Sequence, residues 1–438
     1  MTSNSLFHEI RKAILAQRSC AEKIFHDLAF GSTSAPGIMR DTYGAGENFA
    51  HHYMRDYAAQ NGLSVSVDAA SNTYMAWEGS QNDRPMILMG SHLDSVPHGG
   101  NFDGLAGVVA GLITIFALRS LGLKPIKNVV TMGVRAEESV WFQVSYIGSR
   151  SALGILPENA YDAKRIDTGR SLASHMLECG ADPERIKNGS PYLSKNNVEA
   201  FLEVHIEQAP ALVALGKPIA ICTGIPGNFR YAHAKIKGVH GHVGTPKPFR
   251  QDAAMAGADL AMQMDAIWNE YEKKKIPIAI TFGRFHTDQE VHGLTIVPGS
   301  FDFSIDVRAY DRKVLRDLES QFLSIIKDIE RKRGVTFDLG ARASADVGDV
   351  DPTIADRLKH IADRIEIPKV ELGSPASHDA AAFAAADIPM CMIFVRNENG
   401  SHNPLEHMNI EDFMDACCVM ACWVAEKSCY SEESHSYV

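Results

Sequence analysis

Residues 85–108 read PMILMGSHLDSVPHGGNFDGLAGV. The first five are apolar on consecutive positions, the pattern of a strand covered on both faces rather than of an alternating, half-solvated one. A polar loop follows, and from Leu105 to Leu121 apolar residues recur at helical spacing. Three more runs share the texture of the first: Val129 to Val134 (VVTMGV), Ala200 to Val204 (AFLEV) and Pro389 to Val395 (PMCMIFV). Buried strands with helices between them predict an α/β fold, a mixed, largely parallel sheet flanked by helices.

The chain around these runs is helical at its start, from about Leu6 to Gln60, and changes texture between residues 224 and 348. There Tyr231 to Lys237, Ile278 to Phe282 and Phe301 to Arg308 alternate larger apolar residues with small or polar ones, as in an antiparallel sheet with one solvated face. Helical patterns run over Asp252 to Lys275 and Arg312 to Arg333. Because a buried-type strand returns at 389–395, residues 1–223 and 349–438 are expected to form one catalytic domain, interrupted by an inserted α+β domain at 224–348. The run VGDVDPT is its expected return linker, and the polar tail SEESHSYV is expected to be disordered.

Apolar residues make up 45% of the 438 and charged residues 22%, enough for a large core in a globular protein. The net charge of −11 argues against a nucleic-acid or anionic-membrane partner, which would need a basic face. The apolar runs are too short to span a bilayer, and the amino terminus lacks a secretory pattern, so a cytoplasmic location is expected. The eight cysteines include no CxxC pair; Cys417, Cys418 and Cys422 read as buried thiols on one helix.

Metal-competent residues follow each buried run. His92 and Asp94 come after the first, with Asp103 eleven residues past His92; Glu137 and Glu138 come after the second. His205 and Gln208 follow the third, and His402 the fourth. The carboxyl ends of parallel strands line one edge of a sheet, so all of these converge there. Imidazole and carboxylate together suit Zn²⁺ or Mn²⁺, with Co²⁺ or Ni²⁺ possible. Five ligands with one bridging carboxylate suit two divalent ions about 3.5–4 Å apart sharing a water. We read Asp103 as the bridge, His92 and His205 as ligands of one ion, and Glu138 and His402 as ligands of the other. Glu137 is then the general base, and Asp94 orients the His92 imidazole. Taken singly these residues have blander readings: Asp103 as a cap of the helix from Leu105, Glu137-Glu138 as a solvated strand end.

These residues resemble the M20 metallopeptidase superfamily, within it the hydantoinase/carbamoylase-type amidase branch of N-carbamoyl-L-amino acid hydrolases, β-ureidopropionases and allantoate amidohydrolases. The segments that carry the resemblance are GSHLDSVPHGGNFDGLAGV, EESVWF with YIGSR, EVHIEQAP, GVHGHVGTP with RQDA, VPGSFDFSIDVR, SHDAAAF and GSHNPLEH, in family order between about Arg40 and His407. The resemblance implies the same five metal ligands and the same base. It adds His242 as the group that stabilises the oxyanion and Arg308 as the arginine that binds the substrate carboxylate. Gln208, Arg230, Thr295 and His378 match positions near the substrate. The inserted domain is implied to be a ferredoxin-like lid that also forms a homodimer, with His242 reaching the partner's site. The implied activity is cleavage of a linear C–N bond in an N-carbamoyl or N-acyl amino acid or related small carboxylic acid. An aminoacylase, dipeptidase or amino-acid-conjugate hydrolase is the alternative, and a non-catalytic binder the alternative of another class. For Arg308 a surface ion pair, for His242 an incidental role and for Asp379 helix capping are the competing readings. Thr295 replaces the family's Asn, Ala209 its Gly, and Trp141 a frequent Arg, and the HVGTP loop is one residue short. The hydrolytic machinery is therefore more legible than the substrate.

Overall fold

The computed structural model describes residues 3–430, so the tail SEESHSYV lies outside the described residues. The chain forms two compact units, Met1–Ile225 with Gly348–Val438, and Pro226–Val347. In the first, eight strands build one sheet: β1 Ser64–Val67, β2 Thr73–Trp77, β3 Met86–His92, β4 Val129–Val134, β5 Val198–Ile206, β6 Ile219–Cys222, β7 Lys369–Leu372 and β8 Met390–Val395. Their order across the sheet is β1-β2-β4-β3-β5-β8-β6-β7. The four central strands β4, β3, β5 and β8 run parallel. β1 and β2 join antiparallel at one side; at the other β6 is antiparallel to β8 and parallel to β7. The expected mixed, largely parallel sheet is present.

Its strands are apolar on consecutive positions because each face has its own core. Ile87, Met89, Cys391, Ile393 and Val395 join one cluster, while the intervening Leu88, Met390, Met392 and Phe394 join another. The helix Leu105–Ser120 is buried along almost its whole length. Gly107 lets it approach the sheet: a Cβ there would lie 2.4 Å from the Val204 carbonyl oxygen. That close approach brings the loop before the helix, with Asp103, against the strand ends. The amino-terminal helical region is three helices, Ser3–Ala16, Arg18–Gly31 and Ala45–Gln60. The expected run breaks at residues 32–44, where Pro36 and Gly37 interrupt helical spacing. Cys417, Cys418 and Cys422 are free and buried on the helix Ile410–Ser428. No helix among the described residues is long and apolar enough to cross a membrane.

In the second unit the strand Gly227–Lys237 pairs antiparallel with Ser300–Ala309, Thr336–Asp338 and Arg342–Ala345. Ile278–Thr281 and Phe285–Thr287 extend the sheet beyond Ser300–Ala309. Burial alternates along Ser300–Ala309, as the sequence pattern implies. The helices Ala253–Lys273 and Arg312–Arg333 pack on this sheet, capped by the Asp252 and Asp311 side chains.

Candidate metal centre

Two histidines leave the sheet edge with one nitrogen already committed. His92, the last residue of β3, has Nδ1 3.1 Å from the Asp94 carbonyl oxygen. His205, near the end of β5, has Nδ1 2.8 Å from the Ile206 carbonyl oxygen. A carbonyl only accepts, so the proton of each neutral ring sits on Nδ1 and the Nε2 lone pair is left bare. Both bare nitrogens face Asp103 Oδ1, at 3.5 Å from His92 and 3.2 Å from His205. The His205 Nε2 is buried and has no hydrogen-bond partner among the described residues. Lone pairs directed at a carboxylate oxygen repel unless positive charge lies between them. Two donors about 2.0–2.1 Å from a tetrahedral ion stand roughly 3.4 Å apart, which matches this spacing.

The other oxygen of Asp103 repeats the arrangement. His402 Nε2 lies 3.2 Å from Asp103 Oδ2 and 3.5 Å from Glu138 Oε1. His92, Asp103 and His205 thus make one group of ligand atoms within 4.8 Å of one another, and Asp103, Glu138 and His402 a second. Asp103 is common to both. The structure gathers all five expected ligands, and the donor set suits divalent cations.

The loop that carries Asp103 is held in detail. Gly104 adopts φ +67°, and a Cβ there would meet the His92 ring at 2.5 Å, so only glycine fits. The Glu406 carboxylate accepts from the Phe102 and Asp103 amides at 2.8 and 3.2 Å. Ser401 Oγ lies 2.6 Å from Asp103 Oδ2 and 2.7 Å from Glu406 Oε2. Gln208 Nε2 donates to Asp103 Oδ2 at 2.9 Å, placing Gln208 beside that carboxylate. Asp103 does not cap the following helix, whose cap position is Gly104.

Asp94 is a hub behind the cluster. Besides its contact with His92 it accepts the Glu137 and Glu138 amides at 3.0 and 3.1 Å and the Thr42 hydroxyl at 2.5 Å. Glu137 and Glu138 are buried, not solvated. Burial holds the Glu137 carboxyl well above the usual carboxylate range; His92 opposes this, while Glu138, Asp379 and Asp94 add to it. Burial, then Asp103, pushes Glu138 up to about 7. Burial works against charge on His92, yet Asp103 and Asp94 carry it well above the ordinary histidine value. Burial also opposes charge on Asp103, but His205, His402 and His92 hold it well below the carboxylate range. These shifts mark a shortage of positive charge among the buried carboxylates. Divalent ions would supply that charge directly.

His378 is buried 4.3 Å, ring to ring, from His205, with Nε2 3.0 Å from Ser374 Oγ. With Glu203 it completes a third group of close ligand atoms around His205. Asp379 does not cap its helix; its Oδ1 accepts from the Ser149 hydroxyl at 2.5 Å. Sequence reading missed Glu203, Ser401 and Glu406. Glu203 had a signal, since it lies two residues before His205 on a strand and shares its face; Glu406 and Ser401 had none beyond proximity to His402.

The remaining candidates lie in the second unit. Arg230, across the strand pair from Asp306, shares a sheet face with Arg308. Arg308 Nε donates to Asp306 Oδ1 at 2.8 Å, the ion pair its competing reading foresaw. His242 is exposed and pairs in register with Ile296, next to Thr295, whose carbonyl accepts from the Val243 amide at 2.9 Å.

The model of peptidase family M20/M25/M40 matches residues 88–426. The chain belongs to that family. As an M20 member it is a metal-dependent hydrolase, and the described residues include candidate metal-binding groups. An allantoate amidohydrolase from Escherichia coli (strain K12) is 29% identical over 402 residues, 90% of this chain and 93% of the relative. An N-carbamoyl-L-amino acid amidohydrolase from Geobacillus stearothermophilus is 31% identical over 388 residues, 87% and 91% of the two chains. Among solved structures, a hydantoinase/carbamoylase family amidase from Burkholderia ambifaria superposes with a TM-score of 0.78 at 24% identity, covering 95% of this chain and 98% of the other. That last likeness is one of fold. The expected membership of the M20 amidase branch is borne out.

Proposed function

We propose that this M20 hydrolase cleaves the linear C–N bond of an N-carbamoyl amino acid or a related small ureido acid, using two divalent cations. The supporting observation is the Asp103 carboxylate, whose Oδ1 faces the imidazole nitrogens of His92 and His205 and whose Oδ2 faces that of His402. His92, Asp103 and His205 would hold one ion and Asp103, Glu138 and His402 the other, Zn²⁺ or Mn²⁺ in both. When bound, the ions would polarise the scissile carbonyl, acidify a water and offset the burial that raises the Glu137 pKa.

The chain's own groups supply the rest. Glu137 takes a proton from the attacking water and returns it to the leaving nitrogen. His242 donates to the oxyanion as charge develops there. Arg308 binds the substrate carboxylate through its planar fork, with Gln208, Arg230, Thr295 and His378 shaping the substrate's surroundings. Asp94 keeps His92 and the two glutamates oriented. A carbamoyl substrate takes up one water and yields amine, carbon dioxide and ammonia. The inserted unit serves as lid and homodimer contact, with residues 224–348 as its extent, and the enzyme acts in the cytoplasm.

The test is a panel of carbamoyl, ureido, acetyl and aromatic acyl amino acids offered to metal-reconstituted protein, with ammonia and amine release measured. Hydrolysis confined to carbamoyl and ureido compounds is expected. Preference for acyl compounds without ammonia release would replace this reading with an aminoacylase.

A further inference from the structure

Four consecutive amides, Arg135 to Glu138, each donate to a side chain from elsewhere in the chain. The Arg135 amide donates to Asn72 Oδ1 at 2.9 Å and the Ala136 amide to Glu47 Oε1 at 2.8 Å. The next two go to the Asp94 carboxylate. β4 ends at Val134, so strand pairing has already ceased here. Ala136 takes φ +59°, a left-handed conformation that is unfavourable for a residue with a Cβ. Such a turn persists only where its surroundings impose it. On the carbonyl side it is held by the amides of Tyr146, Ile147 and Gly148, which donate to Glu137, Ala136 and Arg135.

On the amide side the organising group is Glu47, a carboxylate on the helix Ala45–Gln60 with no solvent exposure. Its Oε2 accepts the Tyr43 amide at 2.6 Å and Arg135 Nη1 at 3.1 Å, while Oε1 takes the Ala136 amide. Arg135, equally buried, spends its Nε on the Ser71 carbonyl. A buried ion pair is a weak source of stability, but its directional acceptors fix the backbone they bind. Glu47 makes no hydrogen bond or ion pair with any candidate ligand or with Glu137.

We propose that Glu47 is a positioning residue for hydrolysis: by holding the left-handed turn at Ala136 it sets where the Glu137 and Glu138 carboxylates point. This rests on Glu137 being the base. Glu47→Gln keeps the shape but replaces one acceptor oxygen with an NH₂ that faces an N–H. Glu47→Asp keeps both acceptors and withdraws them by one methylene. Both are compared, as full-length metal-reconstituted protein, with wild type, with Glu137→Gln and with Leu358→Ala, a core truncation on the helix Pro352–Arg364 that lowers stability away from the turn. The readouts are kcat, KM, bound metal per chain and Tm.

The expected result for both Glu47 variants is a kcat at least tenfold lower, KM within twofold and metal content unchanged, with Leu358→Ala losing Tm but not kcat. A kcat loss in the Glu47 variants no larger than Leu358→Ala shows for the same fall in Tm overturns the proposal. So does unchanged kcat, and so does failure of both variants to fold, which would make Glu47 a folding residue alone. If Glu137→Gln turns over like wild type, the base assignment fails instead, and that outcome is separately visible.

Discussion

The two units treat charge differently. Along the edge of the first unit's sheet, Asp94, Asp103, Glu137, Glu138, His92 and His205 are all buried, and the His205 Nε2 that faces Asp103 has no hydrogen-bond partner among the described residues. In the second unit the candidate residues lie at the surface or half-buried: Arg308 pairs with Asp306 and His242 accepts from the Gly244 amide, while Arg230 Nε is buried with no hydrogen-bond partner among the described residues. Burying that many ionisable groups is costly unless a compensating charge is present. The difference teaches that the sheet edge gathers charge that a cation would offset, whereas the inserted sheet rests on an apolar core of its own.

The sharpest way to break this contrast is Glu137→Gln, which should cut kcat by about 10³-fold while both ions stay bound, measured by steady-state kinetics and metal analysis. Chelation comes next. Removing the ions from a site held at about a thousand times Kd costs roughly 4 kcal/mol of stability. Calorimetry should show the first unit's transition falling by several degrees while the second unit's stays in place; equal shifts in both would erase the distinction. Arg308→Lys keeps the charge but loses the fork, so KM for a carboxylate substrate should rise about tenfold with metal content untouched. The smallest effect belongs to the Asp259–Arg333 pair that ties the two helices of the second unit. Its hydrogen bond with Arg333 lowers the Asp259 pKa against a smaller effect of burial. The pair's contribution is therefore present above the unfolded value near pH 4 and is lost as pH falls through the lowered folded value. Asp259→Asn should cost about 0.5–1 kcal/mol at pH 7 in denaturant titrations, and the difference should vanish at strongly acidic pH.

The sheet was legible in the chain because each central strand is apolar on both faces, and the candidate ligands were legible because each follows such a strand. Two strands run further than their apolar runs suggest: β5 pairs with β8 through Ile206, so His205 lies within a strand, and β3 carries His92 as its final residue. What the sequence conceals is the support around the ligands. Glu47 reaches Ala136 across 89 residues and Glu406 reaches Asp103 across 303. Nothing local in either segment distinguishes these carboxylates from solvated ones; only the folded backbone brings them to an amide. The interruption at residues 32–44 was hidden for the same reason, since its buried Arg40, Thr42 and Tyr43 act through distant partners such as Leu93, Asp94 and Ala70.

Anomalous diffraction from crystals of the reconstituted protein, recorded at the absorption edge of the bound metal, tests the sheet-edge cage most directly. Two peaks per chain, about 3.5–4 Å apart with Asp103 between them, are expected. His92 and His205 should flank one peak, and Glu138 and His402 the other. A single peak, none, or ions bound away from Asp103 would contradict it.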